Sequence, residues 1–211
     1  MRRYIYFVFL LCCAVNLLLT SCVRQKYVVM DMVHHNPGEA MTESKFLDPS
    51  FLKKNEYGAK VFFLFEAAQF GIDWKSFDPS LFPATTEAGR WVAEKAEIIH
   101  KKYDAAKKED LQVYCMLDML VLPSLLVEKH RTELTNEQGK LDISKPYTQL
   151  CIRELMKEMF ETFPQLDGLV IRTGETYLHD APYYVGNHPV QNGMYDHITL
   201  INLLREEVCE R

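Results

Sequence analysis

The chain of 211 residues sets 24 Lys and Arg against 29 Asp and Glu, a net charge of −5, and it gathers no basic patch, which argues against a nucleic-acid partner. Its length suits one ordinary domain with a proper core, and no low-complexity tract or long linker interrupts it.

Arg2 and Arg3 open the chain, an uncharged apolar run follows from Tyr4 to Leu19, and Leu19-Thr20-Ser21-Cys22 closes it. A positive start, an apolar centre and small residues before a cut describe a secretory leader, and no charged flank marks a stop-transfer segment. The Leu-Thr-Ser-Cys ending looks like a lipobox, in which the Cys22 thiol takes a diacylglyceryl group before cleavage. The expected organisation is a leader over 1–21, a lipid-anchored linker over 22–26 and a domain over 27–211. Several acyl chains on one residue, at about 0.8 kcal/mol per buried methylene, hold a protein firmly at a membrane. The expected location is a bacterial cell envelope, at the outer membrane or facing the periplasm. Cleavage would remove Arg2, Arg3 and no acid, leaving 190 residues with a charge of −7. Beyond the anchor stand Cys115, Cys151 and Cys209, an odd number in apolar or helical settings, which is no disulfide framework. Cys115, inside Val113-Tyr114-Cys115-Met116-Leu117, reads as a buried inert thiol.

Four nearly continuous apolar runs, Tyr27–Val33, Ala59–Phe65, Leu111–Leu117 and Gly168–Ile171, suit strands of a parallel sheet covered on both faces. Helical patterns separate them. Asp48-Pro49, then Phe51, Leu52 and a stopping Gly58, predicts a short capped helix. Val92, Ala96, Ile99, Tyr103 and Ala106 keep one face over a longer one. Ser144 with Pro146 opens a third, turning Ile152, Leu155, Met159 and Phe163 to the core. Asp196 caps a fourth, with Leu200, Leu204 and Val208 inside.

Strand and helix thus alternate four times, which implies a parallel α/β sheet with crossover helices. A doubly wound sheet and a (β/α)8 barrel are the two candidates. Val33-His34-His35-Asn36-Pro37-Gly38-Glu39 after the first strand is neither a dinucleotide fingerprint nor a P-loop. Each strand instead runs into a long loop rich in polar and aromatic residues, as where a barrel builds its site. The expected fold is α/β, parallel βα repeats forming the first half of a (β/α)8 barrel. A whole barrel takes roughly 250 residues, and four units leave two open edges and half of an apolar interior exposed. The expectation is an incomplete chain whose C-terminal half is missing; the alternative is a half-barrel that associates into an oligomer.

The densest polar cluster follows the fourth strand: Arg172, Thr173, Gly174 and Glu175, then Tyr177, His179, Asp180, Tyr183, Tyr184 and His188. Gly174 allows a sharp turn there. Flat rings with polar tips suit sugars, which present both C–H faces and hydroxyls. The plainer reading is an Arg172–Glu175 ion pair holding a loop under a lid of tyrosines. His34 and His35 after the first strand, Glu66 and Trp74 after the second and Asp118 after the third can all reach one pocket. Adjacent His34 and His35 face opposite sides of a strand, and neither an HxH nor an HExxH spacing occurs, so no metal is expected; no cofactor is either. A Ser-His-Asp hydrolase lacks its G-x-S-x-G elbow.

The segments "VVMDMVHHNPGE", "AAQFGIDWKSFDPSLFP", "LQVYCMLDMLVLP" and "LDGLVIRTGETYLHDAPYYVGNHP" together resemble the first half of large (β/α)8 lipoproteins of polysaccharide-degrading Bacteroidetes, similar in outline to α-glucuronidases and related barrel glycosidases. The likeness runs from about Lys26 to Arg211. It implies a glycoside hydrolase-like barrel with Glu175 as the acid at the end of strand four. Arg172, Tyr177 and His179 would hold hydroxyls or a sugar carboxylate, and His34, His35, Glu66, Trp74, Asp118 and Asp180 would complete the substrate contacts. Gly174 stands where one large glycosidase clan has Asn before its Glu, and the partner carboxylate normally lies on a later strand. The alternatives are a carbohydrate-binding lipoprotein without turnover and a truncated product without function.

Overall fold

The structure, a computed structural model, describes residues 28–31, 44–63, 66–173, 176, 178, 181–188 and 192–209. The leader, Cys22, the linker, His34, His35, Glu175, Tyr177, His179 and Asp180 lie outside the described residues. In chain order the elements are β1 (Met30–Asp31), α1 (Pro49–Lys54), β2 (Ala59–Phe63), α2 (Glu87–Lys108), β3 (Gln112–Asp118) and β4 (Val121–Pro123). After them come α3 (Ser124–Lys129), α4 (Arg131–Leu134), α5 (Pro146–Thr162), β5 (Gly168–Arg172), β6 (Tyr184–Gly186) and α6 (Met194–Cys209).

Four strands form one parallel sheet in the order β1-β2-β3-β5. These are the four strands expected from the apolar runs, and their order in space follows their order in the chain. A doubly wound sheet reverses its strand order at a switch point; this sheet does not, and successive parallel neighbours are how a barrel is laid down. Strand alternation divides the side chains cleanly. Phe62, Val113, Cys115 and Leu117 join a large core with Val92, Ile99 and Tyr103 of α2 and Ile152, Leu155 and Met159 of α5. Val61, Phe63 and Met116 point the other way and form a separate cluster with Tyr114 and Val170, all strand residues. The helices therefore cover one face of the sheet, and the second cluster corresponds to a barrel interior. Tyr114 lies against Gly168, where an added Cβ would stand 2.7 Å from its ring.

The helices follow the expected patterns with local differences. Asp48 caps α1, accepting from Ser50 N–H at 2.9 Å, with Pro49 in the first turn. The chain leaves that helix through Glu56 at φ 64° rather than through Gly58; Gly58 instead makes room for the Val28 side chain. Thr86 caps α2, accepting from Gly89 N–H at 3.0 Å. Ser144 does not cap α5, because its hydroxyl donates to Asp142 at 2.7 Å and Lys145 occupies the cap position. Asp196 lies inside the first turn of α6, where it accepts from the N–H of Asn192 at 2.8 Å. Leu200, Leu203 and Leu204 form the buried face of that helix, while Val208 is exposed. Burial pushes the Cys115 thiol up to about 11 and that of Cys151 up to about 12, so both are inert near neutrality; Cys115, Cys151 and Cys209 are unpaired with one another.

Two features of the layer beyond the strands were not in the sequence pattern. β4 and β6 pair antiparallel, Leu122 opposite Val185, just past the end of β3. Gly186 allows the crossing, since a Cβ there would meet Leu120 O at 2.6 Å. Second, Asp78 ties the β2–α2 connection to α3: its carboxylate takes Lys129 Nζ at 2.8 Å and Ser80 Oγ at 2.6 Å. The Lys129 hydrogen bond, with that of Ser80 behind it, lowers the Asp78 pKa from 3.8 to about 2. A depressed carboxylate contributes stability above its unfolded value and loses it as pH falls through the folded one. The wild type should therefore exceed Asp78→Asn in urea midpoint at pH 5, with the difference vanishing between pH 4 and pH 2. The pair is partly exposed, so solvent screening keeps the effect within about 1 kcal/mol. A gap that persists unchanged at pH 2 would count against the linkage.

Candidate functional site

The ends of β3 and β5 carry the polar residues that the apolar runs lead into. Asp118 and Arg172 are register partners on adjacent parallel strands, so their side chains leave the sheet on the same face. That face is the one lined by Phe63, Met116 and Val170. Arg172 Nε forms an ion pair with Asp118 Oδ1 at 3.3 Å, and the guanidinium stands 5.0 Å from the centre of the Phe63 ring. Asp118 is buried and Arg172 half-buried. A cation held between a carboxylate and an aromatic face, at the C-terminal edge of a parallel sheet, occupies the position where sites of such sheets form. The ion pair expected within the loop, Arg172 with Glu175, lies outside the described residues, because Glu175 does; among the described residues Arg172 pairs with Asp118.

Glu66 and Trp74 are placed elsewhere. Glu66 turns toward the helix layer, with its carboxylate bonded to Lys102 of α2 and its carbonyl accepting from Tyr103 Oη at 2.9 Å. Trp74 is fully buried in the helix-side core, 6.1 Å from Phe77, at a left-handed φ of 57°. No face of that indole is open to a ligand, so its role here is packing, and the reason is the tight turn that folds the β2–α2 connection back over the core. Tyr184 is likewise a core ring, its hydroxyl donating to Gln69 O at 3.3 Å, and burial raises its pKa. Tyr183 is half-buried and meets Trp91 edge-on at 5.8 Å. Burial, then the neighbouring Glu87 carboxylate, raises its pKa.

Of the candidates that the structure describes, Asp118 and Arg172 are therefore brought together and Glu66 and Trp74 are not. Sequence reasoning missed Phe63 as the third member, although its place at the end of an apolar strand, two residues from Val61, was a usable signal. Among the described residues no three His, Cys, Asp or Glu side chains converge as a metal set, and no helix is long and apolar enough to cross a membrane. A shallow depression of about 480 Å³ lies in the helix layer, lined by Lys75, Ser76, Glu158, Glu161 and Thr162, none of them at the strand ends.

No protein family matches the chain, and no curated protein does. Among solved structures, a noncanonic maltogenic alpha-amylase, AmyB from Thermotoga neapolitana, aligns over 72% of this chain with 15% identity and a TM-score of 0.41. The chain spans 40% of the length of that protein. A likeness of this strength assigns neither activity nor substrate.

Proposed function

We propose that the chain is a carbohydrate-binding, glycoside hydrolase-like protein, held at a bacterial envelope membrane by a lipid on Cys22. The observation that carries this reading is the Asp118–Arg172 pair beside Phe63 at the strand ends. It holds the partly exposed Arg172 guanidinium against buried Asp118 and Phe63, next to the polar and aromatic loop that follows Arg172 in the sequence. In this reading Glu175 is the general acid, and Tyr177, His179 and Asp180 contact hydroxyls with His34 and His35.

Glycoside hydrolysis needs two carboxylates flanking the scissile bond. Among the described residues of this sheet face the carboxylate is Asp118, and Arg172 already engages it. That favours, as a second reading, a binding protein without turnover.

Calorimetric titration of the full chain with neutral and uronic oligosaccharides separates the possibilities. Arg172→Ala should raise Kd about tenfold, the loss of one charge-assisted contact. Glu175→Gln should leave Kd within about twofold, and it should lower any turnover by about a hundredfold, since the amide keeps the shape and lacks the transferable proton. Binding without turnover in the wild type selects the second reading. A folded wild-type protein that takes up no saccharide at millimolar concentration refutes both.

A further inference from the structure

The described chain joins its sheet at the N-terminal end of the strands. Met30, Ala59 and Gln112, the first residues of β1, β2 and β3, are register partners in turn, so these three strands start at one level. Val28 comes just before them with its side chain against Gly58, and Val29 O accepts from Gly58 N–H at 3.0 Å. The turns that lead from helix back to strand, 55–58, 109–111 and 163–167, collect at this same end. They are tied together: Gln112 N–H donates to Gly58 O and Asp167 N–H to Val113 O, both at 2.9 Å. Lys53 pairs with Asp110 at 3.0 Å and Lys107 with Asp167, while Lys54 and Lys108 stand exposed on the rim. Those four lysines face Glu56, Glu109, Asp110 and Asp167, and the linker adds Arg24 and Lys26.

We infer that this end of the sheet faces the membrane and that the Asp118–Arg172 end opens away from it, an assignment that rests on the lipid at Cys22 proposed above. Reach decides the orientation. From Cys22 to Val28 the chain has six residue steps, which span at most about 22 Å in any conformation. Val28 lies two residues before Met30, and Asp118 lies six beyond Gln112, which shares the level of Met30. Eight residues at the rise of a strand are about 26 Å. A tether of that length cannot bring the C-terminal ends of the strands to the headgroups while its lipid stays in the bilayer. It holds the turns at the N-terminal ends within easy reach. Charge agrees, because the rim is balanced and the linker tips it positive, so anionic headgroups attract this surface. The mouth at Asp118 and Arg172 is then presented to ligands that arrive from the aqueous side.

Photo-cross-linking tests this on the mature, acylated protein in vesicles of phosphatidylethanolamine and phosphatidylglycerol that carry a diazirine on the headgroup. Residues 53–58 and 107–112 should take up at least about tenfold more label than 119–123, 136–142 and 182–188, because a tether too short for a distance leaves an effective concentration near zero there. A Gly-Ser insertion of about ten residues after Lys26 raises the reach to about 58 Å. It should bring the two sets of segments within about twofold of each other. The intact mass of the same sample reports the acyl chains on Cys22. An unacylated Cys22 would defeat the lipid reading and this assignment together, whereas an acylated protein labelled mainly at 182–188 would defeat this assignment alone. A label ratio that the insertion leaves unchanged would overturn it too, since reach is what sets the orientation.

Discussion

Lys60→Met is expected to destabilise the protein by about 3–5 kcal/mol, the usual cost of stranding one member of a buried ion pair. Lys60 and Asp31 are register partners on β2 and β1, and each side chain is only 3% exposed. The Lys60 ammonium bonds the Asp31 carboxylate, donates to Phe46 O at 3.0 Å and stands 6.0 Å from the Phe62 ring. Three parts of the protein thus meet at one charge: the edge strand, its neighbour and the turn that leads into α1. Methionine fills the space and leaves the carboxylate buried without its cation. A chain of this size should lose on the order of 10 °C in melting temperature. Replacing both members, Lys60→Met with Asp31→Leu, should recover most of the loss, because the desolvation cost of the pair disappears together with its attraction. Calorimetry or urea denaturation of the two variants checks this, and a single variant as stable as the double would refute it. The pair thereby fixes β1, a strand of two described residues, to β2 of the sheet.

Cys22→Ala should abolish acylation altogether. In the proposed lipoprotein the thiol would be the group that forms the thioether to diacylglycerol, and alanine would offer no nucleophile in its place. Cells grown with radiolabelled palmitate should label the wild type and leave the variant unlabelled, as an uncleaved precursor or a released form. Under the proposed anchoring, several acyl chains at about 0.8 kcal/mol per buried methylene would make desorption negligible, and their loss would remove the anchor in one step. Equal labelling of the alanine variant would sink the lipoprotein reading, whatever the domain binds.

Much of the fold was legible because it rests on one-dimensional patterns. Near-continuous apolar runs such as Val113–Leu117 mark strands buried on both faces, and all four placed a strand where the structure has one. Helix stripes such as Val92, Ile99 and Tyr103 read correctly because every third or fourth residue shares a face. Even the inertness of Cys115 was readable, since its neighbours in sequence are also its neighbours in burial. The loops were less legible. Trp74 looks in sequence like a ring poised beyond a strand, yet a left-handed turn sends it into the core; a backbone dihedral of that kind is selected by what packs around it. Glu66 was assigned to the mouth of the sheet and instead faces Lys102, 36 residues away.

The sequence by itself therefore determined the α/β class, the four parallel strands and the faces of the main helices, because local periodicity decides which side of each element is apolar. The tertiary structure alone decided which polar residues meet. Asp118 and Arg172 are 54 positions apart in the chain and come together through strand register, and β4 finds β6 across a comparable gap. Pairings of that kind are set by packing among distant segments, which no local pattern encodes. Helix α6 shows both contributions at once: Leu200 and Leu204 are buried as their spacing predicts, whereas Val208, expected inside, is left exposed in the packed protomer.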